Sequence, residues 1–317
     1  MVFGSSDISV GKYRFIDRVN SVDILKGRTA MVATATIKLP NLKNSLSSSI
    51  AVGDEVVINL GYNDNLYQEF AGYVSRIVPG YPYTLEVMDE MWKQKQRSIN
   101  KAYKSTTIKA VLQDMIPDAV LNVPDIDVEA LRFSHMTVFK ALEEIRGKYG
   151  IDIYYRDGVL FAGLAYTETG LNSVKYHFQR NMPKDEASKL SFVGADDVKI
   201  KVRAVAIAPD GKQETVEVGD DDGDIRTLHY YGISKSQAMQ QAQQALSLLK
   251  YSGYRGDITS FGIPRPEFGG VAELYDDLYP ERAGKYLIDS VRTVYAVSTG
   301  FRRTVALGPL ANINLAA

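Results

Sequence analysis

The feature that most constrains the fold of this chain is a strand pattern that occurs twice, once towards each end, with helical periodicity between the copies. The first copy runs Gly53-Asp54-Glu55-Val56-Val57-Ile58-Asn59-Leu60, then Phe70-Ala71-Gly72-Tyr73-Val74-Ser75-Arg76-Ile77, then Tyr83-Thr84-Leu85-Glu86-Val87. The second runs Gly270-Val271-Ala272-Glu273-Leu274, then Gly284-Lys285-Tyr286-Leu287-Ile288-Asp289-Ser290-Val291, then Arg303-Thr304-Val305-Ala306-Leu307-Gly308. Each copy reads as a turn glycine with an apolar strand, a second glycine with an aromatic strand, and a closing strand. Two similar β-modules in one chain bear directly on how it assembles.

Residues 1–98 read as all-β. Lys12-Tyr13-Arg14-Phe15-Ile16 and Ala33-Thr34-Ala35-Thr36-Ile37-Lys38-Leu39 join the first three strands, with loops expected at Ser45–Ser49 and Gly61–Asn65. A small barrel or sandwich follows. From 99 to 165 the period changes: Ile108, Val111, Leu112, Met115 and Ile116 share one helical face behind the capping side chains of Ser105, Thr106 and Thr107, and Pro117 stops the run. A second stripe, Val138, Leu142, Ile145 and Tyr149, starts at Thr137 and is released by Gly147 and Gly150. Asp157-Gly158, between Ile151–Tyr155 and Val159–Phe161, is a hairpin signal. This is a helix-and-hairpin domain.

Further along, 198–208 and 215–218 flank the turn Pro209-Asp210-Gly211-Lys212. Ser234 and Gln237 have capping-box spacing before Ala238, Ala242, Ala245 and Leu249. The expected organisation is a first β-module over 1–98, the helix-and-hairpin domain over 99–165, a second β-module built from 166–195 and 256–317, and an inserted hairpin-plus-helix subdomain over 196–255. The fold class is α+β, mainly β.

Composition narrows the functions open to such a chain. Its 317 residues favour two or three domains, and 45% hydrophobic with 24% charged residues supply ordinary globular cores. With 37 basic and 38 acidic residues the formal charge is −1, which gives no broad attraction to nucleic acid or membrane. Cysteine is absent, so disulfides, thiolate metal sites and a cysteine nucleophile are excluded, and the redox compartment stays open. The start Met1-Val2-Phe3-Gly4-Ser5-Ser6-Asp7 lacks the basic and apolar regions of a secretory signal, and no later run approaches the roughly 20 apolar residues of a membrane span. Synthesis in the cytoplasm without Sec export is expected. Tyrosine, at 20 residues against one tryptophan, suits both strand faces and large protein contacts.

Catalytic and metal sets are incomplete. His135, His177 and His229 are the only histidines and none has metal-ligand spacing. No Gly-x-Ser-x-Gly elbow occurs, and Gly211-Lys212 lacks the upstream glycine of a phosphate loop. Glu143 and Glu144 are adjacent on a helix and therefore diverge. In the run Asp220-Asp221-Asp222-Gly223-Asp224, placing Gly223 sixth in a calcium loop puts Val218 first and His229 twelfth, where carboxylates are required. An acidic, mobile loop is expected instead. No catalytic, cofactor-binding or metal residue is assigned, and no cofactor.

Several segments in shared order carry a family resemblance: Val52-Gly53-Asp54-Glu55-Val56 with Phe70-Ala71-Gly72-Tyr73-Val74; Val87-Met88-Asp89-Glu90-Met91-Trp92-Lys93; Thr137-Val138-Phe139-Lys140-Ala141-Leu142-Glu143-Glu144 with Tyr149-Gly150-Ile151; Gly284–Ile288; and Phe301-Arg302-Arg303-Thr304-Val305-Ala306-Leu307-Gly308. The chain resembles the baseplate hub proteins of contractile phage tails, of the late-control-D and Mu-like tail hub type. The resemblance covers most of the chain. It implies two tube-type β-barrels per subunit and a homotrimer whose ring has pseudo-sixfold symmetry. Such a ring sits between a hexameric tail tube and a trimeric central spike, with other baseplate proteins around it. On this reading the protein is structural, neither an enzyme nor a nucleic-acid reader, is not inserted in a membrane, and resides in the virion tail baseplate. The chain ends soon after its second module, so the spike is expected to be a separate chain. The competing readings are the hub of a phage-derived injection or type VI-like system, a phage cell-wall hydrolase, and a carbohydrate-binding module for host attachment.

Overall fold

The computed structural model describes residues 3–40, 49–128, 130–183, 190–207, 212–231, 234–280 and 283–311. The first β-module comprises β1 (Gly4–Val10), β2 (Tyr13–Ile16), β3 (Ser21–Gly27), β4 (Thr34–Leu39), β5 (Glu55–Tyr62), β6 (Asn65–Val78) and β7 (Tyr83–Met88), followed by helix α1 (Met91–Gln96). Alternation drives it: Ile8, Val22, Ile24, Ile37, Val56, Ile58, Leu60, Val74 and Leu85 fall on one face of their strands and are fully buried together. Gly72 lies inside β6 because a Cβ there would come within 2.1 Å of the Met88 carbonyl oxygen on β7.

The helix-and-hairpin segment contains β8 (Ser98–Tyr103), β9 (Thr106–Thr107), α2 (Ile108–Met115), β10 (Val120–Asn122), β11 (Asp127–Val128), β12 (Leu131–Thr137), α3 (Val138–Tyr149), β13 (Asp152–Arg156) and β14 (Val159–Gly163). Thr107 and Thr137 cap their helices by accepting from the backbone N–H groups of Ala110 and Lys140, each at 3.2 Å. Gly150 closes α3 in the left-handed conformation. Gly147, expected to release that helix, instead lies within it. Asp157 and Gly158, both at positive φ, turn β13 into β14. The apolar faces of α2 and α3 share a core with Met31 and Met91, so this segment is packed onto the first module.

The remaining strands are β15 (Ser173–His177), β16 (Ser191–Val193), β17 (Ile200–Ile207), β18 (Gln213–Gly219), β19 (Asp224–Tyr231), β20 (Gly253–Arg255), β21 (Asp257–Phe261), β22 (Val271–Tyr275), β23 (Gly284–Ala296) and β24 (Gly300–Leu310), with helix α4 (Lys235–Leu249) between β19 and β20. Strands β18, β17 and β19 form a small sheet on which α4 lies, with Ala238 and Ala242 fully buried against Val202 and Ala204. The Ser234–Gln237 capping box is present. Leu249, expected on the buried stripe, is 37% exposed at the helix end. The turn expected at Pro209-Asp210-Gly211 and the loop at Ser45–Ser48 lie outside the described residues.

Sheet pairing shows what the two copies become. In the first module β5, β6 and β7 form an antiparallel meander with β4 beside β7; in the second, β22, β23 and β24 form an antiparallel meander with β21 beside β24. Strand order and sense therefore match over four strands. The modules differ at the outer edge, where β1 pairs β5 antiparallel and β15 pairs β22 in parallel. The glycine equivalence drawn from sequence is offset, since Gly72 is interior to β6 and Gly284 opens β23. The two meanders belong to one sheet of 12 strands, because β3 pairs with β23 over seven registered pairs from Ser290–Gly27 to Ala296–Ser21. Among the described residues the pairing is an open path rather than two separately closed barrels.

Candidate functional site: the junction between the two modules

Strand β3 holds the molecule together: it is hydrogen-bonded to β4 of its own module on one side and to β23 of the other on the opposite side. Behind this seam lies a buried ion pair. The Arg303 guanidinium donates to both carboxylate oxygens of Glu69, at 2.9 and 2.8 Å, and further to the Gly262 carbonyl at 2.7 Å and Thr293 Oγ1 at 3.1 Å. Arg303 is 2% exposed and Glu69 4%. Burying such charges is tolerable only with this degree of hydrogen bonding. Arg303 sits two residues from each of Phe301 and Val305, both buried, so alternation along β24 forces its side chain inward.

A second tie joins three segments. Arg28, just after β3, donates to Asp289 on β23 and to Asp152 on β13, both at 2.9 Å, and its guanidinium lies 4.3 Å from the centre of the Tyr166 ring. Burial works against the Arg28 charge, but Tyr166, Asp289 and Asp152 outweigh it and raise its pKa. The Tyr166 hydroxyl donates in turn to Asp289. On the outer face Arg292 and Asp23 make a bidentate pair across the same ladder.

A cavity of about 470 Å³ opens beside the seam, lined in part by Lys26, Glu69, Asp89, Arg156, Arg265 and Arg303. Burial pushes the Asp89 carboxyl up to about 7, although the backbone N–H groups of Ala33 and Met91, donating at 2.9 and 3.0 Å, pull it down. Burial pulls the Lys26 ammonium below its ordinary value. The basic groups of this cavity are largely committed: Arg156 to Glu168, Arg265 and Arg303 to Glu69. The arrangement is that of a structural polar core at a domain seam.

The residues weighed for chemistry in the sequence do not converge. His135 is exposed on β12, His177 stacks on Tyr275 with ring centres 4.6 Å apart, and His229 belongs to β19. Glu143 and Glu144 are exposed on α3. Among the described residues no group of three His, Asp or Glu could hold a metal ion, and no helix is long and apolar enough to cross a membrane. The acidic run at 220–224 is compensated rather than a cluster of free like charges: Asp220 receives Lys250 at 2.7 Å, Asp221 receives Lys201 at 3.1 Å, and Asp222 receives Lys199.

No protein-family model and no curated protein matches the sequence. The fold, however, is similar to that of the tail protein from Neisseria meningitidis MC58, with a TM-score of 0.69 at 13% identity over 96% of each chain. It is similar also to the 43 kDa tail protein of prophage MuSo2 from Shewanella oneidensis, with a TM-score of 0.65 at 13% identity over 96% of this chain and 98% of that one. The chain has the fold of phage tail proteins. A third similar structure is a component of the E. coli type VI secretion system described as resembling the T4 bacteriophage tail proteins gp27 and gp5; its TM-score is 0.60 at 10% identity, over 96% of this chain and 77% of that one.

Within this tail-protein fold the segments that carried the resemblance lie at structural joints. Val52–Val56 and Phe70–Val74 meet across β5 and β6, Val87–Lys93 leads from β7 into α1, and Phe301–Gly308 carries the buried Arg303. Strands β3 and β19 were not anticipated from sequence. For β3 a signal exists, since Val22 and Ile24 alternate with Ser21, Asp23 and Leu25; nothing local shows that its partner is β23, more than 250 positions away in the chain.

Proposed function

We propose that this chain is a structural, non-enzymatic baseplate hub that assembles as a homotrimer, forming a pseudo-sixfold ring between a six-fold tail tube and a three-fold spike in a phage tail. The observation that carries this reading is the seam. Strands β6 and β23 occupy equivalent places in the two meanders, yet only β23 is flanked on both sides along its C-terminal half, by β24 and β3. The corresponding half of β6, Ser75–Val78, pairs with β7 alone among the described residues. Likewise β21, the counterpart of β4, pairs among the described residues with β24 alone, whereas β4 has β7 on one side and β3 on the other. One inter-module junction, in which β3 bridges β4 and β23, is thus made within the chain, while among the described residues the equivalent edges of β6 and β21 are left open at opposite ends. Open edges seek partners, and a head-to-tail contact that closes generates a ring.

Three chains with two modules each give six module positions. Native mass of the full chain, alone and with tube and spike proteins, tests this: the expected species is three times the 35.2 kDa of one chain. A particle with this chain away from the central axis, or in another stoichiometry, refutes it. Turnover of peptidoglycan by the purified chain, abolished by one carboxylate substitution, refutes the non-enzymatic part. The similarity to a type VI secretion component favours, as a second reading, the hub of an injection machine; the particle that contains the chain distinguishes the two.

A further inference from the structure

Lys26 stands where the alternation of β3 calls for an apolar residue. Val22 and Ile24, four and two positions earlier, are buried in the core of the first module, so Lys26 is directed to the same face and enters the cavity of about 470 Å³ beside the seam. It is half-buried there, and its ladder partner on β23 is Val291. Three parts of the chain meet around this space: the seam strands of the two modules, the β13–β14 turn at Asp157-Gly158, and residues 265–268 after β21. A cavity of this volume at a meeting of substructures, with a few convergent polar groups, has the form of a small-molecule site.

The cations around the cavity differ in what they already hold. Arg303 spends its donors on Glu69, the Gly262 carbonyl and Thr293. Arg156 donates to Glu168 at 3.0 Å and to the Phe268 carbonyl at 2.6 Å, and Arg265 donates to the Gln68 carbonyl at 2.7 Å and lies 3.4 Å from Glu69. The Lys26 ammonium has neither a hydrogen-bond acceptor nor an ion-pair partner among the described residues. Glu69 and Asp157 favour its charge from a distance, Arg265 and Arg156 oppose it, and burial outweighs the favourable pair. Three N–H donors are thus left unanswered in a place partly withdrawn from water, which is costly until an acceptor arrives.

We infer that this cavity binds a small monocarboxylate with an apolar body, its carboxylate accepting from the Lys26 ammonium and its body lying against Phe70, Phe268 and Val291. Those three side chains supply the apolar part of the lining. The carboxylates of Glu90 and Asp157 line the same space and repel a second negative charge, so a singly charged ligand fits and a dicarboxylate or phosphate does not. All of the groups belong to one chain, so the inference stands apart from the oligomeric reading above.

The test uses the full chain with benzoate as probe and benzamide as its neutral counterpart, read by calorimetric titration and by the melting temperature. Benzoate is expected to bind about tenfold or more tightly than benzamide, the contribution of one charge-assisted contact, and to raise the melting temperature as its concentration rises. Lys26→Met and Lys26→Gln are expected to lose the preference for benzoate, and Lys26→Met, which removes an unanswered charge, to melt at or above the temperature of the parent. A parent chain that binds benzoate no better than benzamide overturns the inference, as does a preference that survives both substitutions. A Lys26→Met chain that melts below the parent gives the ammonium a structural role and overturns it as well. Inorganic phosphate bound more tightly than benzoate, with the same dependence on Lys26, refutes the monocarboxylate class.

Discussion

Replacing Arg303 by Met is expected to be among the most damaging single substitutions in this molecule, and its cost can be worked from the geometry. The guanidinium makes two bonds to Glu69, one to the Gly262 carbonyl and one to Thr293 Oγ1, all in a site that water barely reaches. Removing it leaves the Glu69 carboxylate buried with Arg265 at 3.4 Å as its remaining cation, itself partly exposed. Loss of one member of a buried pair costs about 3–5 kcal/mol, most of it the stranded charge rather than the lost attraction. Glu69→Leu, which strands the guanidinium, should cost a similar amount. The double variant Arg303→Met/Glu69→Leu strands no charge and leaves Gly262 and Thr293 without a donor, a loss of about 1–3 kcal/mol. It should therefore be more stable than either single variant. Urea unfolding followed through Trp92, which stacks on Tyr73 in the first module, reports the change at constant m-value. A loss below about 1 kcal/mol for Arg303→Met, or a double variant as unstable as the two singles added together, refutes the argument.

Three further outcomes are expected. Because the folded Asp89 carboxyl is raised from 3.8 to about 7, the protonated form favours the fold, so this group's stabilisation is full below about pH 4 and is lost as pH rises through 7; the ceiling is about 4 kcal/mol, and Asp89→Asn should flatten the pH dependence of the melting temperature between pH 5 and 8. Gly72→Ala drives a methyl group into the Met88 carbonyl of β7 and should cost about 2–4 kcal/mol in chemical denaturation, or prevent soluble expression. Thr137→Ala removes the cap of α3 and should cost about 1 kcal/mol without changing the native mass of the assembly.

Local patterning carried much of this fold. Alternation marks β4 to β7 and β22 to β24, threonine caps and a left-handed glycine bound α2 and α3, and Asp157-Gly158 sets the hairpin, because these signals depend on backbone preferences within a few residues. The same patterning shows that one strand order is used twice. It could not show that the copies share a sheet. That outcome depends on β3 meeting β23, on Arg303 finding Glu69 at a separation of 234 residues, and on Arg28 reaching both Asp289 and Asp152. Sequence spacing contains no information about such meetings, since any strand with a compatible alternation satisfies β3 equally well until the rest of the chain has folded around it. The composition excluded thiolate chemistry, and its spacing gave no site; the tertiary pairing decided which strand edges stay open, because only closure of the long-range ladders gives one module the partner that the other lacks.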